Sequence, residues 1–278
     1  MSKINLLNLV LFIAVITLAF FIYFSEEESF ELERLSDADI NSISKIIIKH
    51  NTNTTTIVKQ QSDKWQITQP ISIAANNFRL SSILKLINAP VHNKYALSEI
   101  DASSLGLDKP ATTIQFDDES TTYGISFGIT NPATNLRYIR MNDSIYTIED
   151  VYYPFLSSNF STLVSLHLLP DNSTIEKLVL SNQTISKNDK GLWQSNIDIS
   201  ADNINITIDY WKDTQAFGIH QYLKRDNLGE VFIYLSGQQE PVTFVITDTD
   251  PWLILARPEL GLEYHLDVEA YNNLIAPQ

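Results

Sequence analysis

Five histidines, His50, His92, His167, His220 and His265, are the residues best suited to proton transfer or metal ligation near neutral pH. No two lie within five positions of each other, so the sequence holds neither a zinc-protease pair on one helix turn nor a dense ligand cluster. Asp248-Thr249-Asp250-Pro251 opens like a calcium loop. An EF-hand would need a third acid at the fifth position, a glycine and a distal glutamate, but Pro251 and Trp252 follow, so the string reads as a turn. Asp117-Asp118-Glu119 reads as a solvated hairpin tip. Ser82 and Lys85 have the S-x-x-K spacing of a serine nucleophile without its companion motifs. There is no G-x-S-x-G and no cysteine, and eight glycines without a G-x-G leave no phosphate cradle. The expectation is therefore no catalytic, cofactor-binding or metal residues, no cofactor, and no enzyme activity. Aromatic rows on a sheet can bind glycans, but Trp65, Trp193, Trp211 and Trp252 are expected in the core.

A formal net charge of −14 argues against a nucleic-acid partner. With 44% hydrophobic residues the chain can bury a substantial core. Residues 4–24 carry no charge, and as a helix they would span about 31 Å, a bilayer's hydrocarbon thickness. Lys3 precedes this run and Glu26-Glu27-Glu28 follow it, which orients the N-terminus to the cytoplasm. The run is long for a cleaved signal peptide, so an uncleaved signal anchor is expected. An exported body without cysteine suits a bacterial envelope, and the N-x-S/T triplets follow from an Asn-, Ser- and Thr-rich composition.

The elements that would position any site alternate between β and turn chemistry. Residues 43–50 and 54–61 read as a hairpin around Asn51-Thr52-Asn53, and 64–68 as a third strand holding Trp65. Residues 75–87 give the clearest helix, with Leu80, Ile83, Leu84 and Ile87 on one face and Asn76 or Asn77 as cap. A meander follows at 112–116, 123–127, 137–141 and 144–148, then a short helix through about 157. After a connector at 162–171, strands are expected at 176–180, 192–195, 230–235, 242–247, 252–256 and 262–266.

The second half echoes the first. Trp65-Gln66 matches Trp193-Gln194. The string from Ile71 to Asn77 matches that from Ile197 to Asn203, and Tyr146-Thr147-Ile148-Glu149 matches Tyr264-His265-Leu266-Asp267. The repeat asks for a helix at 203–215, whereas Ile204, Ile206, Ile208 and Tyr210 alternate as a strand would; the repeat is preferred. The expected organisation is a signal anchor at 1–25, an acidic tether at 26–40, a first unit at 41–160, a connector at 161–173 and a second unit at 174–278. The fold class is α+β: an N-terminal transmembrane helix, then two repeated units, each a mainly antiparallel meander with one or two packed helices.

The Trp strand followed by a proline, the Ala/Asn-rich helix start, Tyr95-Ala96-Leu97, Leu105-Gly106-Leu107-Asp108-Lys109-Pro110 and Tyr138-Ile139-Arg140 resemble a bacterial envelope family catalogued as domain of unknown function 4340. The resemblance covers about 43–148, with a weaker copy in the second half. It offers no catalytic residues to transfer. Some members are encoded beside ABC-type transporters, which implies a partner role. The expected function is a membrane-anchored periplasmic interaction or scaffold protein, single-pass in the inner membrane through residues 4–24, an accessory of a transport complex with transporter subunits as partners. The alternatives are a glycan- or peptide-binding module using a groove between the units, and an enzyme of unrecognised type.

Overall fold

The computed structural model describes residues 3–24, 32–61 and 63–277; in the first helix, side chains are described at 8, 9 and 11–20. Contacts divide the chain into residues 1–33 and 34–278. The first unit holds α1 (Lys3–Phe24), whose described apolar side chains are exposed, Leu9 at 46% and Leu18 at 66% among them. Among the described residues no helix is long and apolar enough to cross a membrane. The transmembrane helix of the expected architecture is corrected on that finding. The tether's acidic string, Glu26-Glu27-Glu28, lies outside the described residues, as do the first two residues and the last of the expected anchor at 1–25.

The second unit is built on strands. β1 (Lys45–His50), β2 (Asn53–Lys59), β3 (Trp65–Gln69) and the two-residue β4 (Ile73–Ala74) lead into α2 (Asn77–Leu84). β5 (Asn93–Ala96) precedes the meander β6 (Thr112–Asp117), β7 (Thr122–Thr130), β8 (Leu136–Met141) and β9 (Ser144–Glu149), closed by the single turn α3 (Tyr153–Leu156). The chain then continues with β10 (Ile175–Val179), β11 (Thr184–Lys187), β12 (Trp193–Ser195), α4 (Ala201–Asp213), β13 (Gly218–Gln221), β14 (Gly229–Leu235), β15 (Val242–Asp248), β16 (Trp252–Arg257), β17 (Leu262–Asp267) and α5 (Ala270–Leu274).

The first sheet has the order β4-β3-β2-β1-β6-β7-β8-β9-β5 and the second β12-β11-β10-β14-β15-β16-β17-β13. Apart from β4, the two orders correspond strand for strand, and every pairing is antiparallel. The α+β expectation is thereby corrected. The described chain is mostly antiparallel β in two sheets, with few helices: α2 spans eight residues, while α3 and α5 are single turns. The helix expected through 157 shrinks because Pro154 stands near its start and Ser157 and Ser158 turn their hydroxyls back onto the carbonyls of Tyr153 and Pro154.

Strand alternation builds the core. Ile46 faces Phe116 and Ile48 faces Ile114 across β1 and β6, all four buried, while Lys45 and Lys49 point away. The α4 helix settles the ambiguous stretch. Ser200 caps it through Asn203 N–H at 3.1 Å, and Ile204, Thr207, Ile208 and Trp211 are buried at helical spacing. Ile206 and Tyr210, which a strand would place beside Ile204 and Ile208, are 45% and 41% exposed. Trp211 is fully buried, its indole N–H donating to the Leu274 carbonyl at 3.0 Å.

One connector stitches the two sheets. Asn76 N–H donates to Leu163 O and Ser165 N–H to Ala74 O, while Ala216 N–H donates to Leu166 O. Leu163, Val164, Leu168 and Leu169 are all buried in a core that takes in residues of both sheets.

Candidate functional site

Where the connector passes between the sheets it floors a groove of about 430 Å³, within the size range of ligand pockets. Lys64, Trp65 and Gln66 of β3 and its approach, with Ser72, Ile73 and Ala74, form one wall; Leu168, Leu169 and Pro170 form the floor. Arg257, Leu260 and Tyr264 of the second sheet form the other wall. The surface is apolar with a polar rim. Lys64 Nζ meets Asp171 Oδ2 at 2.5 Å, with both side chains close to half exposed, so the pair contributes little stability and can be exchanged for a ligand's charge. Arg257 Nε donates to Glu259 at 2.9 Å, and its guanidinium lies 5.6 Å from the Phe244 ring centre. Burial pushes the Tyr264 phenol up from its ordinary value, with Arg257 opposing, so Tyr264 serves here as a neutral wall.

A second place concentrates charge. On β17, Glu263 and His265 lie two residues apart and so share one face. Glu263 is fully buried, and its carboxylate accepts from His265 Nε2 at 2.9 Å and from Leu223 N–H at 3.1 Å. Arg225 Nη2 stands 3.6 Å away, and the buried Arg225 Nη1 has no hydrogen-bond partner among the described residues. The His220 ring of β13 lies 4.5 Å from that of His265. Phe217 and Trp252 flank the histidine, with ring centres at 6.2 and 6.4 Å.

Sequence spacing gave no hint of this cluster, because strand pairing brings together residues some forty positions apart. His220 is register-paired with Glu263. The remaining histidines stay apart. His50 Nε2 accepts from the Asn51 amide, so its Nδ1–H donates to Thr112 Oγ1 at 2.7 Å; His167 lines the groove. Among the described residues no group of three or more histidines and acids is placed to hold a metal. Asp248 accepts from the backbone of Thr249 and Asp250, as a turn residue does. At the other hairpin tip, hydrogen bonds from the Ser120 and Thr121 backbone hold the Asp118 carboxyl below its ordinary value. Ser82 donates to Phe78 O within α2, with no base beside it in that bond. Trp65 is buried as expected, but Trp252 is 47% exposed and leaves the core.

The site-bearing body is thus an antiparallel β protein of two sheets in corresponding strand order, with a groove between them. The family described as "Domain of unknown function (DUF4340)" matches residues 65–225, more than half of the chain, and the chain belongs to that family. The match runs from β3 past β13, across both sheets, rather than over 43–148. No curated protein and no solved structure matches the chain.

Proposed function

We propose that residues 34–278 form a non-catalytic interaction module that receives an extended, largely apolar segment of a partner protein in the groove between the sheets. The observation that carries this reading is the groove itself, an apolar floor of Leu168, Leu169 and Pro170 rimmed by Lys64, Asp171 and Arg257. A peptide fits it better than a glycan, since Trp65 is only 7% exposed and offers no open face for a sugar to stack on. A catalytic role gains nothing from the acid and histidine on β17, because both Glu263 oxygens are engaged within the protein. We infer as well that 41–160 and 174–278 are tandem copies of one unit, supported by the matching strand orders. An accessory role in an envelope transport complex is part of the same proposal and rests on the family resemblance.

Peptide display against the purified body tests the groove. Selected peptides are expected to lose about tenfold or more in affinity to Ser72→Trp, which fills the groove from its exposed rim, and to quench or shift Trp65 fluorescence. A selection that yields no binders, or binders indifferent to Ser72→Trp, overturns the reading.

A further inference from the structure

The doubled architecture supplies an internal comparison for the charged cluster. β5 pairs with β9 as β13 pairs with β17, and Tyr146 corresponds to Tyr264 in the repeat. Glu263 therefore stands where the first sheet has Ile145, His265 where it has Thr147, and His220 where it has Tyr95. The segment that follows each short strand crosses the outer face of its own sheet. In the first half that segment is held by packing: Leu107 is buried, and Leu105 O accepts from Ile129 N–H at 2.9 Å. In the second half, segment 222–228 is held at its two ends by backbone bonds, Tyr222 N–H on Gly261 O at 2.9 Å and Leu228 N–H on Ile246 O at 2.8 Å, and in its middle by charge, through Leu223 N–H and Arg225 on Glu263. Its own apolar side chains add little, since Leu223 is 64% and Leu228 59% exposed. Replacing an apolar anchor with a buried ionic one costs desolvation without gaining stability. What it adds is dependence on protonation.

We propose that Glu263, His265, His220 and Arg225 form a proton-sensitive latch that keeps segment 222–228 on the outer face of the second sheet at neutral pH and releases it on acidification. The groups facing His220 are His265 and Glu263 from β17, Arg225 from the segment and Arg79 from α2. The turn at 160–163 beside β13, Phe160-Ser161-Thr162-Leu163, brings no titratable side chain. With both histidines neutral, the Arg225 guanidinium pairs with the carboxylate. With both charged, three cations compete for it. The element free to leave is the segment that carries Arg225, because Arg79 is tied to Thr162 O and the histidines sit on paired strands. The direction of the His220 pKa agrees: partial burial of the ring, then His265, hold it below the ordinary histidine value, so its protonation works against the closed arrangement. The latch does not depend on the groove reading.

Hydrogen exchange of the full chain, followed by mass spectrometry from pH 8 to 5 and corrected for intrinsic exchange, decides it. Peptides covering 222–228 are expected to exchange about tenfold faster or more at pH 5 than at pH 7.5, the factor carried by one unit of pKa coupling, while peptides covering β6 and β17 keep their protection. In the double variant His220→Gln, His265→Gln the dependence flattens. In His220→Gln alone, at an exposed position that tolerates the change, the midpoint moves. Exchange at 222–228 that is flat with pH in the wild type, identical in His220→Gln, or accelerated only together with β6 and β17, overturns the proposal.

Discussion

Single side chains in this protein reveal where packing and polarity disagree. Gln183, at the turn between β10 and β11, is 2% exposed, yet neither amide atom has a hydrogen-bond partner among the described residues. A buried polar group without a partner costs about 1–3 kcal/mol, and an apolar side chain of similar shape escapes that cost. Gln183→Met is therefore expected to raise the unfolding free energy by about 1 kcal/mol in urea titrations; a destabilised variant would mean that the amide is satisfied in solution. His220 makes the opposite kind of prediction. Its folded pKa lies below the unfolded value, so between the two the unfolded chain binds more protons. The stability it contributes is complete above the unfolded value near 6.5 and is lost as pH falls through that value toward the folded one. The slope of stability against pH between about 5 and 7 should be shallower in His220→Gln than in the wild type.

Secondary elements show how much the sequence made legible. Among the described residues, thirteen of the seventeen strands and α2 follow from alternation, helical spacing and caps, and α4 from the internal echo alone. Asn76 and Ser200 each accept from the backbone N–H three residues on, at 3.1 Å in both cases, so the two caps behave alike. Ser200→Ala should cost about 1 kcal/mol by the same measurement as for Gln183. The other four, β4, β5, β11 and β13, are two to four residues long, too short to establish a period. β13 carries His220, so missing it meant missing the charged cluster. The family's Leu105-Gly106-Leu107 block acquires a physical role only in the fold. A Cβ on Gly128 of β7 would lie 2.3 Å from Leu105 O, so glycine is required where the block docks. Beside it, Arg137 clasps Asp150 through Nε at 2.6 Å and Nη2 at 3.0 Å and reaches the Gly128 carbonyl. Gly128→Ala is expected to lose about 1–3 kcal/mol, as overpacking does, and to loosen 102–110 to protease. A variant as stable and as resistant as the wild type would place no demand on that approach.

At the scale of the body, the question is whether two sheets of matching order behave as two domains or one. Each has its own long helix, α2 or α4, and its own row of buried residues, which would allow independence. The connector argues otherwise. Val164 is 1% exposed and bridges Ala75 beside the first sheet, while two residues on Leu166 accepts from Ala216 after α4. Leu163, Leu168 and Leu169 extend the same buried strip, so opening either sheet exposes apolar surface shared with the other. Residues 34–278 are accordingly expected to unfold in one transition, with tryptophan fluorescence and far-ultraviolet circular dichroism coincident in urea. Val164→Asp places a charge in this strip without touching either sheet's ladder. It should split the single transition into two, the first sheet reported by Trp65 and the second by Trp193 and Trp211. If wild-type curves already separate, the sheets are independent and the groove between them is a gap between domains. If Val164→Asp merely lowers one shared midpoint, the coupling runs through more of the interface than the connector.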